Sequence, residues 1–273
     1  MGVVGKLIII GGSINLAAET PGSGILQRVL VESVRGKLSR IEIIPTASKQ
    51  AEAAQKYIQA FNELCATNVD ILYIKDRAGA FDDRILKRIR ECQVVFFTGG
   101  DQLRLTSILG GTPLHDLILQ KYNREEFLYV GTSAGASCVS KNMIYQGDSQ
   151  LALQKGQIKT TAGLGLLDHV VIDTHFSQRG RIGRLFQAVV SNPRVTGIGV
   201  DEDTGLVISA NSALVIGSGQ VIVVDGRAIT GSNLTEVPVG SPISIKNLVV
   251  HVMSQGDVYD LLTHQLTFGT GLF

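Results

Sequence analysis

The sequence predicts an α/β protein built on a mostly parallel sheet, covered by helices on both faces, with antiparallel strands added in the C-terminal third. Three observations carry this reading. Short, continuous β-branched runs recur through the first 200 residues. Amphipathic stretches with helical spacing separate the early runs. From about residue 205 the texture changes to brief apolar runs divided by Gly-, Asn- and Ser-rich turns. Runs that are apolar throughout, rather than alternating, suit strands buried on both faces, which is the condition of a parallel sheet in an α/β fold. The turn-rich tail suits hairpins.

In chain order, the predicted strands are 6–10, 41–44, 69–74, 94–97, 127–130, 170–172 and 197–200, each ending in glycine or polar residues. Helices are predicted over 23–34, 50–67, 84–91 and 102–110, and residues 185–190 have the texture of a buried helix face. The late strands are predicted over 206–208, 213–216, 220–224 and 248–253. No repeat, linker or charge block marks a boundary, so residues 1–273 read as a single domain.

Bulk properties exclude several classes of function. The net charge is +1 with 18% charged residues, which gives no electrostatic reason to expect nucleic acid or an anionic membrane as partner. Cys65, Cys92 and Cys138 are scattered and show no zinc-ligand spacing, so no metal or other cofactor is expected. The unpaired pattern fits a reducing, cytoplasmic setting. The apolar run 6–10 is far too short to span a bilayer, and no signal-peptide cleavage pattern follows it.

Residues 131–135 read Gly-Thr-Ser-Ala-Gly between an apolar strand and a small-residue helix start. This is the sequence form of a nucleophile elbow. The turn lifts the Ser133 hydroxyl out of the strand and leaves the Ala134 N–H facing the same space. A serine there can attack a carbonyl while that N–H meets the developing oxyanion. The plainer alternative is a glycine-rich turn that only permits close packing.

Ligands of open parallel sheets collect beyond the carboxyl ends of the strands, so the polar residues after each run are the candidates for chemistry. Serine needs a base, and the base needs an orienting acceptor. Of five histidines, His175 follows a predicted strand on the same rim as Ser133, whereas His169 precedes that strand. Asp173, Asp201, Glu202 and Asp203 are all candidate acids, and spacing alone does not choose between Glu202 and Asp173; one of the 201–203 group could simply cap a turn. The order serine, histidine, acid differs from the serine, acid, histidine order of α/β-hydrolases. Gly100, in Gly99-Gly100-Asp101-Gln102, can supply a second oxyanion donor beside Ala134, against the plainer reading of a strand-to-helix turn capped by Asp101. Arg179, Arg181 and Arg184 precede a buried helix face, where cations oppose the macrodipole. Such a local penalty points to carboxylate binding, unless nearby acids neutralise a solvated basic turn. Gly11-Gly12-Ser13 lacks the pattern of a dinucleotide or phosphate loop.

Four segments carry a family resemblance: Gly-Gly-Asp-Gln at 99–102, Gly-Thr-Ser-Ala-Gly-Ala at 131–136, Asp-Thr-His-Phe-Ser-Gln-Arg-Gly-Arg-Ile-Gly-Arg-Leu at 173–185, and Gly-Val-Asp-Glu-Asp-Thr at 199–204. Together they resemble the cyanophycinases, serine peptidases of the same broad family as aspartyl dipeptidase (peptidase E). The match runs in order over most of the chain, and the arginine-rich segment is its most specific piece. The resemblance implies a three-layer α/β/α sandwich, a cytoplasmic homodimer, and a Ser133-His175-Glu202 triad. The implied activity is release of β-Asp-Arg dipeptides from cyanophycin, a polyaspartate backbone with arginine on each β-carboxyl. Each repeat unit carries a guanidinium and a carboxylate. Arg179, Arg181 and Arg184 are therefore expected to pair with substrate carboxylates, and Asp173 and Gln102 to accept from its guanidinium. The stretch 146–163 is a candidate lid. Rival readings are a dipeptidase for α-linked Asp-X peptides, a glutamine-amidotransferase-like domain (which normally has cysteine at the elbow), and a non-catalytic module holding an acidic peptide.

Overall fold

A computed structural model describes residues 2–18, 24–49 and 54–269. The expected starts of the first two helices, residue 23 and residues 50–53, lie outside the described residues.

The first strands are β1 (Lys6–Ile10), β2 (Ile41–Ile44), β3 (Val69–Ile71), β4 (Val94–Phe97) and β5 (Leu128–Thr132). They pair in parallel in the order β1-β5-β4-β2-β3. Alternation along these strands sorts their side chains onto two faces. Ile8 and Ile10 of β1 pack with helices α1 (Ile25–Glu32) and α2 (Gln55–Glu63). Leu7 and Ile9 pack on the other side with α3 (Asp83–Glu91), α4 (Gln102–Leu109) and α5 (Pro113–Arg124). Helix α5 is an element beyond those that the periodicity predicts. Its signal is at its start, where Thr112 caps the helix by accepting from the His115 N–H and Pro113 occupies the first turn.

After β5 come the short helix α6 (Ala134–Ser137), the hairpin strands β6 (Asn142–Gly147) and β7 (Ile158–Ala162), then β8 (Val170–Thr174), helix α7 (Ile182–Ser191) and β9 (Thr196–Val200). The chain continues through β10 (Thr204–Ser209), β11 (Ser212–Gly217) and β12 (Val221–Asp225). It ends through β13 (Gly231–Ser232), β14 (Ile245–Lys246), β15 (Val249–Met253), β16 (Val258–Asp260) and β17 (Leu266–Thr267). Strands β10, β11, β16 and β17 extend the large sheet antiparallel beyond β1, giving nine strands among the described residues.

One expectation is corrected. Strands β8 and β9 are parallel to one another, as read from the sequence, but they do not join the main sheet. They form a separate four-stranded sheet, β15-β12-β9-β8. The reason is occupancy: β10 hydrogen-bonds along the whole outer edge of β1, from Lys6 opposite Ser209 to Ile10 opposite Gly205, so that edge is closed. Ile172, Ile198, Val200 and Val223 of the second sheet share a buried cluster with Leu7, Ile9 and Leu206 of the first. Its other face is covered by Leu185, Ala188 and Val189 of α7. The carboxyl ends of β1, β5, β8 and β9 therefore meet along the seam between the sheets. Among the described residues, no helix is long and apolar enough to cross a membrane.

Candidate active site

Ser133 stands between β5 and α6 with φ 52° and ψ −110°, a strained conformation for a residue with a side chain. The two flanking glycines make the turn possible. A Cβ on Gly131 would lie 2.2 Å from the Gly135 carbonyl oxygen, and a Cβ on Gly135 would lie 2.4 Å from that of Phe97. Neither clash has room to relax, because the opposing atoms are backbone. The Ser133 N–H donates to the Ile10 carbonyl at 3.0 Å, which ties the turn to the end of β1.

His175 follows β8. Its backbone N–H donates to the Gly11 carbonyl at 2.8 Å, and its own φ is 50°. Its ring lies against bare backbone at Gly12, where a Cβ would come within 2.2 Å of the imidazole Cε1. Gly12 thus leaves a slot for the imidazole, while a Cβ on Gly11 would lie 2.0 Å from the Asp201 carbonyl oxygen. His175 Nε2 lies 2.9 Å from Ser133 Oγ, and Nδ1 lies 2.6 Å from Glu202 Oε1. Among the three consecutive acids after β9, the flanking two serve the backbone. Asp201 accepts from the N–H groups of Ser177 and Gln220 at 2.9 and 3.2 Å, and Asp203 accepts from Asn15 N–H at 2.9 Å. Of these three acids, Glu202 is the one that reaches the imidazole.

Burial pushes the His175 pKa down; Arg179 and Arg181 push it the same way, and Glu202 opposes them. The neutral ring that results is the form that accepts a proton. Glu202 is held below the usual carboxylate range, first by its hydrogen bond with His175 and further by the Ser13 hydroxyl and Arg179.

Gly100 has φ 145°, and a Cβ there would lie 2.3 Å from the Ala47 carbonyl oxygen, so this position also requires glycine. The N–H groups of Gly100 and Ala134 have no acceptor among the described residues. Asp101 caps α4, accepting from Leu103 N–H at 2.8 Å and Arg104 N–H at 3.2 Å; the turn reading and the donor reading of this glycine pair therefore coexist.

The Ser133 cleft has a volume of about 390 Å³ and is lined in part by Ser13, Gly100, His175 and Arg179. It also includes Lys56 and Tyr57 of α2, which carry no sequence signal of a site. Tyr57 is buried to 6% exposure, and burial pushes its hydroxyl pKa up to about 12.

The remaining expected site residues separate into two groups. Arg179 is exposed and lines the cleft. Asp173, Arg181 and Arg184 face one another instead. Asp173 is 2% exposed, with Arg181 Nη1 at 3.1 Å from Oδ1 and Arg184 Nε at 3.1 Å from Oδ2. Asp173 as an open acceptor for a substrate guanidinium is therefore corrected: two internal guanidiniums already face its carboxylate. The same pairing answers the macrodipole puzzle at the start of α7, since the neutralising acid is buried beneath the turn. Gln102 donates from Nε2 to the carbonyls of Ile144 and Tyr145 at 3.2 and 3.4 Å, which leaves its amide oxygen outside these bonds. The segment 146–163 contributes nothing to the lining of the cleft among the described residues. Gln187 of α7 holds it, donating to the carbonyls of Ala152 and Gln154 at 2.8 and 2.6 Å.

The chain as a whole is similar to known proteins. Residues 7–216 match the family described as Peptidase family S51. A cyanophycinase of Synechococcus elongatus is 39% identical over 228 residues, covering 83% of this chain and 71% of its own. A cyanophycinase of Geminocystis herdmanii (strain PCC 6308) is 35% identical over 262 residues, covering 95% of each chain. Among solved structures, a peptidase from an acI-B1 actinobacterium superposes with a TM-score of 0.64 at 18% identity, over 95% of this chain and 98% of that one. At that identity the superposition speaks for the fold.

Proposed function

Because this chain belongs to peptidase family S51, we propose that it hydrolyses cyanophycin as a serine peptidase, releasing β-Asp-Arg dipeptides. The observation that carries the mechanism is the hydrogen-bonded relay from Ser133 Oγ to His175 Nε2 at 2.9 Å and from Nδ1 to Glu202 Oε1 at 2.6 Å. In this reading Nδ1 carries a proton toward Glu202, which leaves the Nε2 lone pair facing the serine hydroxyl.

Ser133 Oγ attacks a backbone carbonyl carbon of the polymer while its proton passes to Nε2. The oxyanion that forms accepts from the N–H groups of Gly100 and Ala134. Collapse breaks the C–N bond, and the proton on Nε2 goes to the departing amine. Water then repeats the sequence on the acyl-enzyme, returning the serine hydroxyl. Arg179 is the guanidinium that meets a substrate carboxylate. Arg181 and Arg184 act through Asp173, shaping the wall that carries Arg179 and His175. Gln102 offers its amide oxygen to the substrate guanidinium.

Incubation with purified cyanophycin, followed by mass identification of the soluble product, tests the reading. A β-Asp-Arg product supports it. An untouched polymer with hydrolysis of α-linked Asp-X dipeptides would replace it by a dipeptidase. The family resemblance also supports a cytoplasmic homodimer, for which light scattering should give twice the chain mass of 29.2 kDa.

A further inference from the structure

A second cleft, of about 290 Å³, adjoins the first. Ser48 lines both. Lys49, Tyr73, Lys75 and Arg104 also line the second cleft, and no carboxylate does among the described residues. Lys49 and Lys75 are exposed and have no ion-pair partner among the described residues. Arg104 is fixed in place, donating to the carbonyls of Thr46 and Lys75 at 3.0 and 2.8 Å. Tyr73 is 47% exposed, so part of its ring is open to a ligand.

The strand order gives this cleft its meaning. Ser133 ends β5, Gly99 and Gly100 follow β4, Ser48 and Lys49 follow β2, and Tyr73 and Lys75 follow β3. These strands are successive neighbours in the sheet. At about 4.8 Å per strand, the rim from β5 to β3 spans about 14 Å. An extended peptide advances about 3.3–3.6 Å per residue, so the same span holds about four residues. A polymer whose reacting bond sits at Ser133 and whose backbone follows the rim brings a distant repeat unit over the second cleft. Each unit carries one carboxylate and one guanidinium on its arginine branch.

Resting on the cyanophycin reading above, we propose that this second cleft is a distal subsite for one such branch. Lys49 and Lys75 take the carboxylate, with Arg104 adding fixed positive charge, and the open face of Tyr73 takes the guanidinium. The subsite rewards chain length: oligomers that reach it bind more tightly than those that stop short.

The test compares oligomers of two, four and eight repeats, and the polymer, on the wild type and on the Lys49→Gln/Lys75→Gln protein, with thermal melts confirming that both are folded. In the wild type KM should fall with length. In the variant that gain should shrink by about three- to tenfold at low salt, and the difference between the two proteins should close near roughly 0.5 M salt. Tyr73→Ala should flatten the same curve with little effect of salt. Parallel length dependences in wild type and variants, with the polymer cleaved by all, would overturn the subsite and leave the cyanophycin reading standing. A wild type that leaves polymer and oligomers intact would remove both.

Discussion

At the scale of single residues, the relay makes two sharp demands. Ser133→Ala should cut turnover of cyanophycin by about a thousandfold or more while the melting temperature holds, measured by dipeptide release and calorimetry. The demand on protonation has a definite sign. The neutral imidazole is the working base, so the rate rises with pH as His175 loses its proton. Burial lowers the His175 pKa from its usual 6.5, with Arg179 and Arg181 acting in the same direction, so the midpoint of the acid limb of kcat/KM should lie below 6.5. Glu202 raises that pKa. Glu202→Gln should therefore move the midpoint further down while lowering the plateau rate; an upward movement would contradict the pairing. Ser133 was legible in the sequence because two obligatory glycines bracket it. The acid was not, because Asp201, Glu202 and Asp203 occupy one strand end with the same local signature. Their division of labour depends on Ser177, Gln220 and Asn15, which come from elsewhere in the chain.

At the scale of elements, the arginine-rich start of α7 contains two kinds of cation. Arg179 faces the cleft, while Arg181 and Arg184 hold a carboxylate at 2% exposure. Removing one partner of a buried ion cluster leaves uncompensated charge, which costs about 3 kcal/mol. Asp173→Asn should thus lower the midpoint of urea unfolding clearly, whereas Arg179→Gln should leave unfolding within about 0.5 kcal/mol of wild type and raise KM for cyanophycin. Equal stability losses in the two variants would mean that Arg179 is structural as well. The sequence announced that these cations needed partners, because a helix start disfavours them. It could not say that the partner was Asp173 rather than a ligand, since that pairing needs β8 and α7 to pack. The same limit applies to Gly11-Gly12. A glycine pair at a strand end signals close backbone approach, but only the fold reveals that the His175 ring approaches Gly12 and the Asp201 carbonyl approaches Gly11.

At the scale of the molecule, the parallel half of the large sheet was readable from its continuous apolar runs, and the later strands from their turns. The division into two sheets was not, because a strand's residues encode its burial better than its partner. That division matters for catalysis. Ser133 is carried by the first sheet, His175 and Glu202 by strands of the second, and the distances between them depend on the apolar seam that joins the sheets. Ile198 is fully buried in that seam, while Leu30, a residue of α1, is buried at 2% exposure against the far face of the first sheet. Truncating either to alanine removes similar apolar volume, and each should cost about 3 kcal/mol in urea unfolding. Their effects on activity should diverge. Ile198→Ala loosens the seam and should lower kcat per folded molecule several-fold, since even an ångström of misplacement between nucleophile and base is expensive. Leu30→Ala leaves the seam intact and should keep kcat near wild type. Matched losses of kcat in the two variants, after correction for the folded fraction, would show that the registry of the triad does not reside in the junction of the sheets.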